Sequence, residues 1–173
     1  MENLSKYVAT PKLGFGEAVK KVLSNLTNVN GRSRRSEYWW YVLAATLVSW
    51  VANAVFSSVP VVNLIISIVI SMTAVVVGVR RMQDSGHSGI WVYVEFVCSV
   101  IMLIYMQASG YNELAMSVNP NPKELIGLMI NPLFCVPAAV SCVCGIVIFI
   151  FSLFDSNIGP NKYGDSPKYV VEE

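Results

Sequence analysis

The sequence predicts an all-α integral membrane protein: four transmembrane helices and an N-terminal amphipathic interfacial helix. Three observations predict it. First, Tyr38 to Val79 is 42 residues long and holds no charged side chain. About 20 apolar residues cross roughly 30 Å of hydrocarbon, so this stretch makes two crossings with a few residues left for a turn. Second, basic residues close both of its ends, Arg32, Arg34 and Arg35 before it and Arg80 and Arg81 after it. Third, 54% of the 173 residues are hydrophobic and only 13% are charged. Soluble domains carry about 25% charged residues. A soluble apolar core is excluded by run length, and one compact bundle is the natural domain count.

The elements follow in order. Residues 1–13 carry little pattern and read as a flexible N-terminal tail. Phe15, Ala18, Val19, Val22, Leu23 and Leu26 then recur at helical spacing, so 14–27 is predicted as an amphipathic helix. Its other face carries Glu17, Lys20 and Lys21, which suits the membrane interface. Packing on the ends of the other helices is the alternative. Asn30-Gly31 signals a turn. The bundle spans 28–155. Tyr38-Trp39-Trp40-Tyr41 opens it with an interfacial aromatic belt.

Spans are predicted at 38–57, 61–79, 90–107 and 133–154. Ser57-Ser58-Val59-Pro60 turns the first pair. Trp50 and Asn53 can both hydrogen-bond, so one face of the first span is expected to meet protein. The second span is rich in Val and Ile, but lipid forces its backbone bonds to close within the segment. Trp91, Tyr93 and Tyr105 flank the third. Residues 108–131 are turn-rich, with a short surface helix expected over 123–130. The fourth span follows, with Pro137 near its first turns. Residues 156–173 form a polar C-terminal tail.

Lysine and arginine set the orientation. Lys6, Lys12, Lys20, Lys21, Arg32, Arg34, Arg35, Arg80, Arg81, Lys162 and Lys168 fall on one side, against Lys123 alone on the other. The positive-inside rule makes that side, with both termini, cytoplasmic. The first long apolar run begins too far along for a cleaved signal peptide. Cys98, Cys135, Cys142 and Cys144 all lie in apolar segments without ligand spacing, so they read as buried thiols and no metal site is expected.

Three polar blocks share the basic side: Gly31 to Trp40 (GRSRRSEYWW), Arg80 to Trp91 (RRMQDSGHSGIW) and Asp155 to Pro167 (DSNIGPNKYGDSP). Their order and content resemble the bacterial inner-membrane family catalogued as a domain of unknown function, number 805. The resemblance spans nearly the whole chain. It implies a four-helix inner-membrane protein and no activity. The family's His-Asp pair after the paired arginines is Gln83-Asp84 here.

The blocks also carry the candidate site residues. Arg32, Arg34, Arg35, Arg80 and Arg81 are candidates for binding an anionic group, because arginine forks suit phosphate. Glu37, Asp84, Asp155, Asn161 and Tyr163 form the expected structural network around them. Carboxylates pairing with the arginines would staple the helix ends. Glu95 lies about 7 Å inside the third span at 1.5 Å per residue. It is a candidate for ion coupling, with snorkelling or pairing to Arg80 or Arg81 as the alternative. His87 with Ser85, Ser88 and Asp84 does not define a catalytic triad and reads as a solvent-facing loop histidine.

The function expected is a non-enzymatic binding or interaction module in the bacterial inner membrane. Its partners would be membrane lipids, anionic phospholipid among them, or a protein partner or second copy; no nucleic acid and no cofactor are expected. The alternative is a small transporter or channel component using Glu95, and an enzyme acting on lipid headgroups comes third.

Overall fold

The computed structural model describes residues 6–172. Four helices are long and apolar enough to cross a membrane: α2 (Arg35–Phe56), α3 (Pro60–Asp84), α4 (Ile90–Ala108) and α7 (Pro132–Leu153). α1 (Phe15–Leu23) precedes them, and the short α5 (Tyr111–Ala115) and α6 (Pro122–Met129) fill the connection between α4 and α7. β1 (Tyr7–Ala9) and β2 (Tyr169–Val171) complete the chain. α2 packs closely on α3 and α4 on α7, α3 joins the two pairs, and α2 touches α7 only slightly.

Local chemistry sets the helix ends. Pro60 opens α3, where its fixed φ and missing N–H are tolerated. Asn121-Pro122 and Asn131-Pro132 repeat one device: the Asn side chain caps the helix and Pro occupies the first helical position. The Asn121 side chain accepts from the Lys123 N–H at 3.1 Å, and that of Asn131 from the Leu133 N–H at 2.9 Å. Pro137 sits in the second turn of α7 without ending it. α3 runs to Asp84, five residues past its predicted end, because its last turns are buried in protein rather than lipid.

The spans present apolar surface outward. Val51, Val55, Ile65 and Val143 are each more than half exposed, as lipid-facing side chains must be. Trp50 belongs with them: it is 70% exposed, so the expectation that it meets protein is corrected. Asn53 does have a partner across the hairpin, accepting from Asn63 Nδ2 at 2.8 Å. On the far side, the Tyr105 hydroxyl ties α4 to α6 through the Leu128 carbonyl.

One sequence expectation changes at the amino terminus. Residues 7–9 of the expected flexible tail are a strand. Tyr7 pairs with Val171 and Ala9 with Tyr169, antiparallel, so the two polar tails clasp each other. Backbone bonds from partners remote in sequence make the order that local composition did not indicate. Residues 1–5 of that tail lie outside the described residues. α1 buries Ala18 and packs Val22 against Tyr41 and Val77, while Phe15 and Leu23 stay about half exposed. Its apolar stripe therefore packs on the bundle and also leaves apolar surface exposed.

Candidate functional site

Many of the best-buried side chains are polar or charged, and these gather at the end of the bundle that carries both tails. α2 and α4 begin there, and α3 and α7 end there. Asp84, the last residue of α3, is the centre. Its carboxylate pairs with Arg32 Nε at 2.9 Å and with Arg81 Nη1, and accepts the Ser156 hydroxyl at 2.6 Å. All three ionic side chains are no more than 1% exposed.

Carbonyls take most of the remaining hydrogen bonds of these guanidiniums, although Arg80 Nε is buried without a partner among the described residues. Arg32 donates to the carbonyls of Gly159 at 2.7 Å, Asn157 at 2.5 Å and Gly164 at 3.2 Å. Arg81 donates to those of Ser33 at 3.2 Å, Ser152 at 3.3 Å and Phe154. Arg80 donates to the Arg32 carbonyl at 3.3 Å. The carbonyl-rich C-termini of α3 and α7 each carry about half a negative charge, so buried cations are favoured there beyond the single carboxylate. The turn between α3 and α4 closes over this end. Gly86 has φ +81° beside Asn157, a conformation that favours glycine.

Several predicted site residues are placed differently from the expectation that carboxylates pair with arginines. Glu37, 1% exposed, takes Lys21 of α1 at 2.6 Å and the Ser33 hydroxyl at 3.0 Å. Asp155 takes Lys168 at 2.5 Å and the Tyr169 hydroxyl at 3.0 Å. The lysines come from segments that fold back onto the bundle, which residue spacing along the spans did not indicate. Burial alone would push the Asp155 carboxyl up, but the hydrogen bonds from Lys168, the Ser156 N–H and Tyr169 hold it below its ordinary value. Burial likewise works against the Lys168 ammonium, and Asp155 with Tyr169 outweighs it and raises it. Asn161 donates to the Gln83 carbonyl at 3.0 Å, whereas Tyr163 contributes its backbone N–H to Asn161 at 2.8 Å. His87 is half-buried rather than solvent-facing. Its ring stacks on Phe151 at 3.6 Å, and Asp84 is committed to the arginines. Cys135 and Cys142 are exposed on the apolar surface rather than buried. Glu95 forms no ion pair among the described residues, and Arg80 and Arg81 point into the cluster instead.

Arg34 and Arg35 differ from the other three arginines. Arg34 is buried and donates to the hydroxyl and carbonyl of Thr10 at 2.9 and 3.2 Å. Arg35 is exposed. Both line a cavity of about 290 Å³ at the start of α2, together with Lys12, Ser36, Trp39, Asp155 and Lys168. Arg34 is also the N-cap of α2 and supplies no side-chain cap, so the first-turn N–H groups are left to other acceptors. Lys12 and Lys168 carry no local sequence signal that marks them as site residues. They reach the cavity because β1 and β2 bring the tails together.

Four apolar spans closed at one end by a buried guanidinium–carboxylate cluster define an integral membrane protein held together by polar contacts at one end. Residues 26–165 match the family described as "Protein of unknown function (DUF805)", and the chain belongs to that family. It is similar to the "Inner membrane protein YhaI" of Escherichia coli, in strain K12 and in O157:H7. Each is 25% identical over 96 residues, covering 51% of this chain and 81% of the relative. No solved structure matches the chain. This is an integral inner-membrane protein.

Proposed function

We propose that the protein is a non-enzymatic inner-membrane module that holds the phosphate of an anionic phospholipid in the cavity at the start of α2. The observation that carries this reading is the charge of the lining. Four cations, Lys12, Arg34, Arg35 and Lys168, face one carboxylate, Asp155, which Lys168 already engages. The uncapped N-terminus of α2 adds N–H donors and the positive end of a helix dipole. Trp39 marks the headgroup level, where phospholipid phosphates are concentrated. The lysine and arginine asymmetry supports a cytoplasmic placement of this face, where the leaflet is rich in anionic lipid. Arg32, Arg80 and Arg81 then serve the site as its frame, because their donors are turned inward to carbonyls and Asp84.

Native mass spectrometry of the protein released gently from its own membrane tests the reading. Lys12 and Arg35 are exposed and make no ion pair among the described residues, so the Lys12→Ala/Arg35→Ala variant keeps the fold. Phosphatidylglycerol or cardiolipin adducts are expected on the parent protein and at least several-fold fewer on the variant. Equal adducts on both would overturn the assignment.

A further inference from the structure

A second cavity, of about 410 Å³, lies among the four spans in the half of the bundle nearer the arginine cluster. Every spanning helix contributes to its wall. Glu95 of α4 is the one charged residue lining it, and no lysine or arginine is present. The nearby guanidiniums are already turned toward Asp84 and the helix-end carbonyls. A carboxyl group has thus been placed inside the bilayer with no counter-charge from the described protein. Such a group is costly there and faces interior space for a purpose.

The rest of the wall shows what would suit it. The hydroxyl protons of Ser71 and Ser99 are committed to the carbonyls of Ser67 and Phe96, both at 2.8 Å. Each side chain therefore offers the cavity lone pairs rather than a proton. Tyr38, Trp39, Phe96 and Phe149 bring aromatic rings, whose faces attract cations. Trp39 and Phe149 meet edge to face at 5.9 Å across the slight contact between α2 and α7. A bare metal cation needs six or more oxygens around it, which this mostly apolar wall does not supply. The volume falls within the range of about 300–1,000 Å³ usual for organic ligands.

We infer that this intramembrane cavity binds a lipophilic organic cation, with Glu95 as counter-ion and the aromatic rings around its apolar body. The inference does not rest on the headgroup site at the start of α2, although Trp39 lines both cavities.

Tetraphenylphosphonium is a suitable probe, being apolar and permanently charged. Radiolabelled probe would be dialysed to equilibrium against the full chain in phosphatidylcholine nanodiscs, with empty nanodiscs as the blank. Saturable binding of one probe per chain is expected, at least tenfold weaker in Glu95→Gln. An added Cβ at Gly145 meets open space, so Gly145→Leu puts bulk into the cavity while keeping the Glu95 carboxylate, and is expected to abolish binding. Tetraphenylborate, titrated separately, has the same shape and opposite charge and is expected to show no saturable binding. The inference is overturned if the parent protein binds no more phosphonium than empty nanodiscs. It is also overturned if folded Glu95→Gln and Gly145→Leu both bind like the parent, or if the borate saturates the same site.

Discussion

The Arg81 side chain is 1% exposed, yet it is ionic and spends its donors on Asp84 and three carbonyls. Trp50, near the middle of α2, is 70% exposed and among the largest apolar side chains of the protein. In a soluble domain these two placements would be reversed. The spans have lipid around them, which welcomes Val, Ile and Trp as readily as a protein interior does, so hydrophobic burial gives little reason for the helices to associate. At the arginine end, unpaired polar groups have no such alternative and must find one another. The difference teaches where the tertiary structure is specified. The membrane sets the helices upright, and the polar cluster sets which ends meet.

That comparison breaks most visibly at Asp84. Asp84→Ala leaves two buried guanidiniums without their carboxylate, and losing one partner of a buried ion pair costs about 3–5 kcal/mol. The expected result is loss of most folded protein from the membrane, read by monodispersity and thermal unfolding in detergent. Retention of parental stability would show that the helix-end carbonyls suffice.

A smaller effect is expected in the clasp between the tails. Asp155 is held below its ordinary value near 3.8, so its contribution is complete above that pH and is lost as pH falls through the lower, folded value. Lys168 is held above 10.5, so its contribution is complete below that pH and is lost as pH rises through the higher, folded value. Amide exchange of β2, corrected for the intrinsic rate, should therefore be flat from about pH 5 to 9 and faster beyond both ends. Lys168→Ala should raise the exchange of β2 while leaving the spans unchanged.

The smallest effect belongs to the lipid face. Val143 is 57% exposed, and Val143→Leu exchanges one lipid-facing apolar group for another. Its unfolding midpoint should match the parent's, corresponding to within about 0.5 kcal/mol. A large shift would reveal a protein contact on that face.

The spans were legible in the sequence because lipid imposes a length and a polarity that composition reports directly. Tyr38–Val79 could be read as a hairpin from its lack of charge alone. The three polar blocks also pointed to the right end of the bundle. Their internal wiring was not legible. Arg32 is satisfied mainly by carbonyls of 157–164, and a backbone carbonyl leaves no trace in residue type. Nor does the sequence show Lys21 meeting Glu37, since that pair depends on α1 folding back along α2. The Asn131-Pro132 start of α7 was available as a cap signal and would have placed that helix one residue earlier.

The pairing of Tyr7 with Val171 has a consequence for biogenesis. The amino-terminal strand leaves the ribosome first, and its complement leaves after all four spans have been threaded into the bilayer. Until then Thr10 lacks the Lys168 carbonyl that receives its N–H, and Arg32 lacks the carbonyls that follow α7. A nascent chain halted after α7 would display an unfinished guanidinium cluster at the membrane surface.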